Sequence, residues 1–314
     1  MSAPPQRPYD KRPTTIDDQL ARLAEKGMRW SDEDAVRRWL TSVGYYRLGA
    51  YWYWYRDDAP AAAGPYRYKP LRPDTTFEKV VSDYTFDRDL RLLVMEGIER
   101  IETDVRSWWA RELALAHDDA HVHLDPTAFR SAKEHAEQIA RAAKEFERSS
   151  DNEHFAKHYK RTYSAPDLPP IWVATELMTF GSLTKWVEMT GEAAVLKTVA
   201  KGVGLPAPDV LVTVLQVLNE VRNVCAHHGR LWNRRLVRKF PKIKKFASDL
   251  RIEGQTPDAR IYNVLVVMAW MLRAEAGDTS WPSRAANLMT DKRTLGELET
   301  MGFPADWRTR PVWR

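Results

Sequence analysis

The chain has 314 residues, 44% of them hydrophobic and 29% charged, with a net charge of +5; such a composition describes a globular protein with a substantial core, long enough for one large or two modest domains. Its single cysteine, Cys225, excludes an intrachain disulfide and a cysteine-rich zinc site. No apolar run reaches the roughly 18 residues that span a bilayer, and no apolar signal core follows Met1-Ser2-Ala3-Pro4-Pro5, so a cytoplasmic protein with no membrane association is expected.

The pattern is helical nearly throughout. Residues 17–26 read as a short helix ended by Gly27, and Ser31 with Asp34 opens a second in the manner of a capping box. Gly44 restarts an aromatic helix over 45–55, although Tyr51-Trp52-Tyr53-Trp54-Tyr55 also alternates as a strand would. The stretch 59–74, with Pro60, Gly64, Pro65, Pro70 and Pro73, reads as a loop and is the best candidate boundary. Thr75 or Thr76 then caps a long helix to about residue 116, with Val81, Tyr84, Leu90, Leu93, Ile98, Ile101 and Val105 on or near its apolar stripe. Pro126, behind Asp125, starts a helix that extends to about residue 148. A Pro-rich elbow at 165–170 introduces a helix over 171–180 that Gly181 stops. Further helices are expected over 193–201, 208–226 and 258–275, with no convincing strand and no internal repeat. The predicted fold class is all-α, a helical bundle, organised as an N-terminal helical region (1–74), a helical core (75–250) and a C-terminal helical tail (251–314).

The helix at 208–226 carries the most informative segment, Arg222-Asn223-Val224-Cys225-Ala226-His227-His228. Leu211, Leu215 and Leu218 fall on one stripe and Val210, Val214, Val217 and Val221 on the next, so most of this helix must be buried. Thr213, Gln216, Asn219, Asn223 and His227 line the remaining polar strip, provided the helix continues that far. Gly229 is expected to end it, leaving His227 and His228 at the C-terminal turn, where carbonyl dipoles favour a cation. An imidazole can take a proton from a ribose 2′-hydroxyl or give one to a leaving oxygen. A guanidinium keeps its charge and grips phosphate bidentately, so it can hold the anion that builds up when that hydroxyl attacks phosphorus. Together they suffice for RNA transesterification without a metal, although the spacing alone is not specific. Arg222 continues the leucine stripe, and the bland reading is a structural ion pair with Glu99, Glu102 or Glu176.

Charge is concentrated behind this segment. Between Arg222 and Arg251 ten basic residues face Asp249 alone, a net +9 that leaves −4 on the rest of the chain. A polyanion would be drawn there, through Arg230, Arg234, Arg235, Arg238 and Lys239; the alternative is a solvated basic face with no partner. The 13 tryptophans are candidate base-stacking platforms, though large aromatics on helical stripes usually fill cores. His154 with His158, and His117, His121 and His123, could suggest a zinc or nickel site, but neither HExxH nor a cysteine pair supports one. There is no Gly-x-Ser-x-Gly elbow and no phosphate-cradling glycine loop, so no cofactor is expected.

The run Arg222-Asn223-Val224-Cys225-Ala226-His227-His228-Gly229-Arg230-Leu231-Trp232-Asn233 resembles the signature of the Abi family of bacterial abortive-infection proteins, of the AbiD and AbiF type. Gly44-Tyr45-Tyr46-Arg47-Leu48, Tyr84-Thr85-Phe86-Asp87-Arg88-Asp89-Leu90-Arg91, Glu99-Arg100-Ile101-Glu102, Pro170-Ile171-Trp172 with Glu176, and Phe180-Gly181-Ser182-Leu183 recur in the same order in that family. The resemblance covers roughly residues 14–238. It implies membership of the HEPN superfamily, hence a HEPN-like helical bundle at 75–250 with an N-terminal helical extension and a C-terminal helical tail. Ribonuclease members of that superfamily carry an arginine, four to six intervening residues and a histidine, a spacing that both His227 and His228 satisfy. The commoner arrangement has a polar residue after the arginine, which favours Arg222, Asn223 and His227 as catalytic, with His228 in reserve. The resemblance further implies a homodimer with a composite metal-independent site, a role in phage defence and, in some members, a cognate structured noncoding RNA. The alternative function is a non-catalytic RNA-binding protein that partners such an RNA.

Overall fold

The computed structural model describes residues 12–57, 69–254, 256–274, 280–291 and 298–314. Met1-Ser2-Ala3-Pro4-Pro5, most of the expected 59–74 loop and Glu275 at the end of an expected helix lie outside the described residues. Among the described residues the fold is all-α apart from one pair of two-residue strands, and the chain divides into two compact units, Met1–Arg88 and Asp89–Arg314.

In the first unit, α1 (Ile16–Glu25) is opened by a capping box between Thr15 and Asp18, and Gly27 follows its end at φ 85°. The second helix, α2 (Glu33–Ser42), is capped by Asp32, whose carboxylate accepts the Ala35 N–H at 3.0 Å. This corrects the Ser31 and Asp34 capping box: Ser31 instead donates its N–H and hydroxyl to Glu78 Oε1, at 2.8 and 2.7 Å. The aromatic run forms α3 (Tyr45–Trp52) and a 3-10 turn at Tyr53–Tyr55 rather than a strand. Its ring-bearing positions are held from below, with Tyr51 and Tyr55 donating to the buried carboxylates of Asp87 (2.6 Å) and Asp83 (2.5 Å). Those carboxylates lie on α4 (Phe77–His117), whose residues fall in both units and whose start is capped by Thr76. The buried stripe of α4 therefore includes Asp83 and Asp87 with Val80, Phe86, Leu90 and Val94, while Val81, Tyr84 and Leu93 are half-buried. Pattern reading misses this because it discounts a carboxylate whose partner is a distant phenol.

In the second unit Pro126 opens only a 3-10 turn, and Ser131 caps a separate helix, α5 (Ala132–Ser149). After α6 (His154–Thr162) the elbow leads into the single turn α7 (Ile171–Ala174). Gly181 does not stop a helix. It sits in the first turn of α8 (Phe180–Met189), capped by Thr179, and a Cβ there would lie 3.4 Å from the Asn219 amide. A glycine in this place therefore permits close helix packing rather than termination. Beyond α9 (Ala193–Gly202) and α10 (Pro208–Ala226) come the hairpin β1 (Ile252–Glu253) and β2 (Thr256–Pro257), then α11 (Ile261–Ala274) and α12 (Trp281–Leu288). The core forms where α10 packs on α8 and α9 and where α11 is buried on nearly every side. Trp281 anchors α12: its indole is fully buried, donates to the Leu93 carbonyl at 3.0 Å and fills the space that a side chain at Gly97 would need.

Candidate functional site

Pro208 stands at the first turn of α10, where its missing N–H costs nothing. Leu211, Val214, Leu215, Val217, Leu218 and Val221 are all fully buried, so packing fixes the rotation of the helix and with it the direction of everything at its C-terminal end. The helix then closes on a Schellman arrangement. The N–H of His228 donates to the Cys225 carbonyl at 2.9 Å and that of Gly229 to the Val224 carbonyl at 2.7 Å, which satisfies two of the orphan acceptors in the last turn. The left-handed residue of this cap is His228, at φ 55°, and not the expected Gly229. His227 is the C-cap, and its N–H still donates to the Asn223 carbonyl at 3.0 Å, so one helical turn continues through it.

Arg222 is half-buried, whereas Asn223, His227 and His228 are exposed. Among the described residues Arg222 has no ion pair; Glu102, one of the carboxylates that could have neutralised it, is taken by Arg106. The upstream part of the polar strip is occupied by the protein itself. Thr213 donates to the Asp209 carbonyl, Gln216 accepts from Arg238 at 3.0 Å, and Asn219 lies against Gly181. Its accessible end is Asn223 and His227.

The basic run is tethered alongside. Glu220, on α10, accepts the backbone N–H groups of Val237 and Arg238 at 2.9 and 3.1 Å. Of the predicted RNA contacts, Arg234, Arg235, Arg238 and Lys239 are exposed, while Arg230 is half-buried with its guanidinium 5.7 Å from the Trp232 ring centre. Arg235 pairs with Glu253 at 3.2 Å, Arg234 donates to the Arg230 carbonyl at 3.4 Å, and Lys239 makes no side-chain contact of this kind among the described residues. Two positioning residues escape the sequence reading. Glu220 is one. Arg91, buried at 7% exposure on α4, is the other; its guanidinium reaches the Gly229 carbonyl, 3.4 Å away. Arg91 ends the block Tyr84-Thr85-Phe86-Asp87-Arg88-Asp89-Leu90-Arg91, which carries the family resemblance, but nothing in its spacing points to residue 229.

The histidine clusters are dispersed in role. His117 faces Glu192 at 2.7 Å, His123 is enclosed in the core, and His121, His154 and His158 border a groove at α6. Among the described residues no group of three or more His, Cys, Asp or Glu side chains is placed to hold a metal ion, and no helix is long and apolar enough to cross a membrane. The largest fully buried side chains include Trp109, Trp186, Trp232 and Trp281, so these indoles are core; Trp172 is exposed.

Chemically, the end of α10 offers a guanidinium with no carboxylate partner among the described residues, an amide and two exposed imidazoles, on a helix to which a cation-rich segment is tethered. The family model described as Abi-like protein matches residues 38–233. The chain belongs to the Abi-like protein family. In this Abi-like chain the matched span holds all of α3 to α10 and ends at Asn233, the last residue of the signature run. No curated protein and no solved structure matches the chain.

Proposed function

We propose that this Abi-like protein is a cytoplasmic endoribonuclease of the HEPN type that acts in abortive infection against phage. The observation that carries the reading is Arg222, a half-buried cation on the leucine stripe with no carboxylate partner among the described residues, five positions before the exposed His227 at the end of the same helix. Such a guanidinium is set for a phosphate. In the proposed reaction one imidazole takes the proton of the ribose 2′-hydroxyl. The 2′-oxygen attacks phosphorus, the bond to the 5′-oxygen breaks, and that oxygen leaves with a proton from a second imidazole. The products are a 2′,3′-cyclic phosphate and a 5′-hydroxyl. Arg222 holds the charge that develops on the phosphorane oxygens, and Asn223 is positioned to orient the ribose or the phosphate. His227 supplies the proton transfer, with His228 as the neighbouring imidazole. Homodimerisation would bring two copies of His227 to one site.

The test is cleavage of single-stranded RNA in EDTA. It should persist, leave 2′,3′-cyclic phosphate or 3′-phosphate ends, and fall by about two to four orders of magnitude in His227→Ala, with RNA binding retained. Products with 3′-hydroxyl ends, or activity abolished by chelation, would sink the mechanism. RNA bound but left intact would favour a non-catalytic partner of a structured noncoding RNA.

A further inference from the structure

The strongest feature outside the α10 site is a groove of about 620 Å³ beside α6. Its lining includes His121, His154, Phe155, His158, Tyr163 and Trp172. His121, one member of the first histidine cluster, thus meets His154 and His158 here, among aromatic rings. Trp172 is 52% exposed, Tyr163 55% and Phe155 36%. Large aromatic surface left open around a concavity is the usual mark of a contact site rather than of ordinary surface.

The rings are held in place. Tyr159 forms the floor, its hydroxyl donating to the Pro166 carbonyl at 2.9 Å and lying 3.3 Å from His121 Nε2. The Tyr163 ring lies 5.0 Å from that of Tyr159, and the His158 ring meets Tyr163 edge-on at 6.4 Å. Along the next stripe of α6 stand Lys157 and Arg161, four residues apart, both exposed and without a carboxylate partner among the described residues. Lys160, by contrast, is neutralised by Glu147 at 2.7 Å.

We infer that this groove binds unpaired bases of single-stranded RNA. Trp172 and Tyr163 present faces on which bases stack whatever their sequence. The imidazoles of His121, His154 and His158 offer donors and acceptors to base edges. Lys157 and Arg161 lie where the phosphates of a strand entering the groove would pass. None of these residues belongs to α10, so the groove would grip the strand with side chains other than those proposed for cleavage. The inference rests on the RNA reading above, and duplex RNA, whose bases are already stacked and paired, should not use the groove.

The test measures binding of a fluorescein-labelled oligouridylate, and of the same strand annealed to its complement, to full-length protein carrying His227→Ala so that the strand stays intact. Adding Trp172→Ala or Tyr163→Ala should each weaken single-strand affinity by about 5- to 100-fold, the worth of one stacked base. Their salt dependence should remain that of the parent, because every phosphate keeps its cation, and Trp172→Phe should restore most of the affinity. Duplex binding should not change. If both alanine variants bind the single strand like the parent while alanines at Arg234, Arg235 and Arg238 weaken it, the groove falls and the RNA reading stands. If the parent binds no RNA, both fall. If Trp172→Ala changes the mass in light scattering and leaves RNA affinity intact, the surface joins protein copies and the inference is overturned.

Discussion

His228 holds a backbone conformation, φ 55°, that an L side chain adopts at a cost of about 1 kcal/mol. A glycine there would remove the clash, partly offset by the greater freedom of the unfolded chain. His228→Gly should therefore be as stable as the wild type or up to about 1 kcal/mol more stable in urea unfolding. The same variant separates the two imidazoles. A fall in cleavage of about two to four orders would assign the proton transfer to His228, and the smaller fall that we expect leaves it with His227. His123 is a second residue with a measurable signature. Its ring is 0% exposed with neither nitrogen hydrogen-bonded, and burial, then the neighbouring His121, lowers its pKa from 6.5 to about 4. Above pH 6.5 the ring is neutral folded or unfolded. As the pH falls from there towards 4 only the unfolded chain takes up the proton, so stability is lost through that window. Urea unfolding at pH 7 and pH 5 should differ by roughly 2 kcal/mol from this ring alone. His123→Phe should flatten the difference; an undiminished slope would place its origin elsewhere.

At the scale of elements, α10 and the basic run act as one piece because Glu220 accepts two consecutive amides of the run and Gln216 accepts from Arg238. A flexible basic segment would follow any polyanion, whereas a tethered one presents its cations in a fixed place on α10. Replacing Arg234, Arg235 and Arg238 with alanine should weaken RNA binding and reduce its salt dependence by about 0.7 log units for each phosphate of a single strand that is no longer neutralised. Filter binding over a range of salt concentrations measures this directly. An unchanged slope would mean that the run faces away from RNA.

For the whole molecule the chemistry sets a requirement on assembly. Transesterification gains from a base and an acid, and one chain supplies a single copy of His227. Shared sites across a homodimer would supply both. Mixing His227→Ala protein with wild type should then depress activity more steeply than dilution does, since mixed dimers carry half-equipped sites. A fall in simple proportion to the wild-type fraction, or a monomer in light scattering at working concentration, excludes the shared site.

Sequence alone determined what depends on neighbours along the chain. The all-α class, the bounds of α10 and the length of α4 follow from apolar spacing and from caps that act within one turn, and the family could be read from short blocks in fixed order. Tertiary structure decided what depends on partners far away. Ser31 lost its expected cap to Glu78, Gly181 became a packing contact for Asn219, and the buried carboxylates Asp83 and Asp87 found phenols on α3 and the turn after it. The end of α10 divides in the same way. Spacing together with the family resemblance is enough to nominate Arg222, Asn223 and His227 as candidates, but the left-handed turn at His228, the reach of Arg91 and the tether at Glu220 depend on how the chain packs, the last two joining residues 138 and 17 positions apart, and no local pattern encodes a hydrogen bond over that separation.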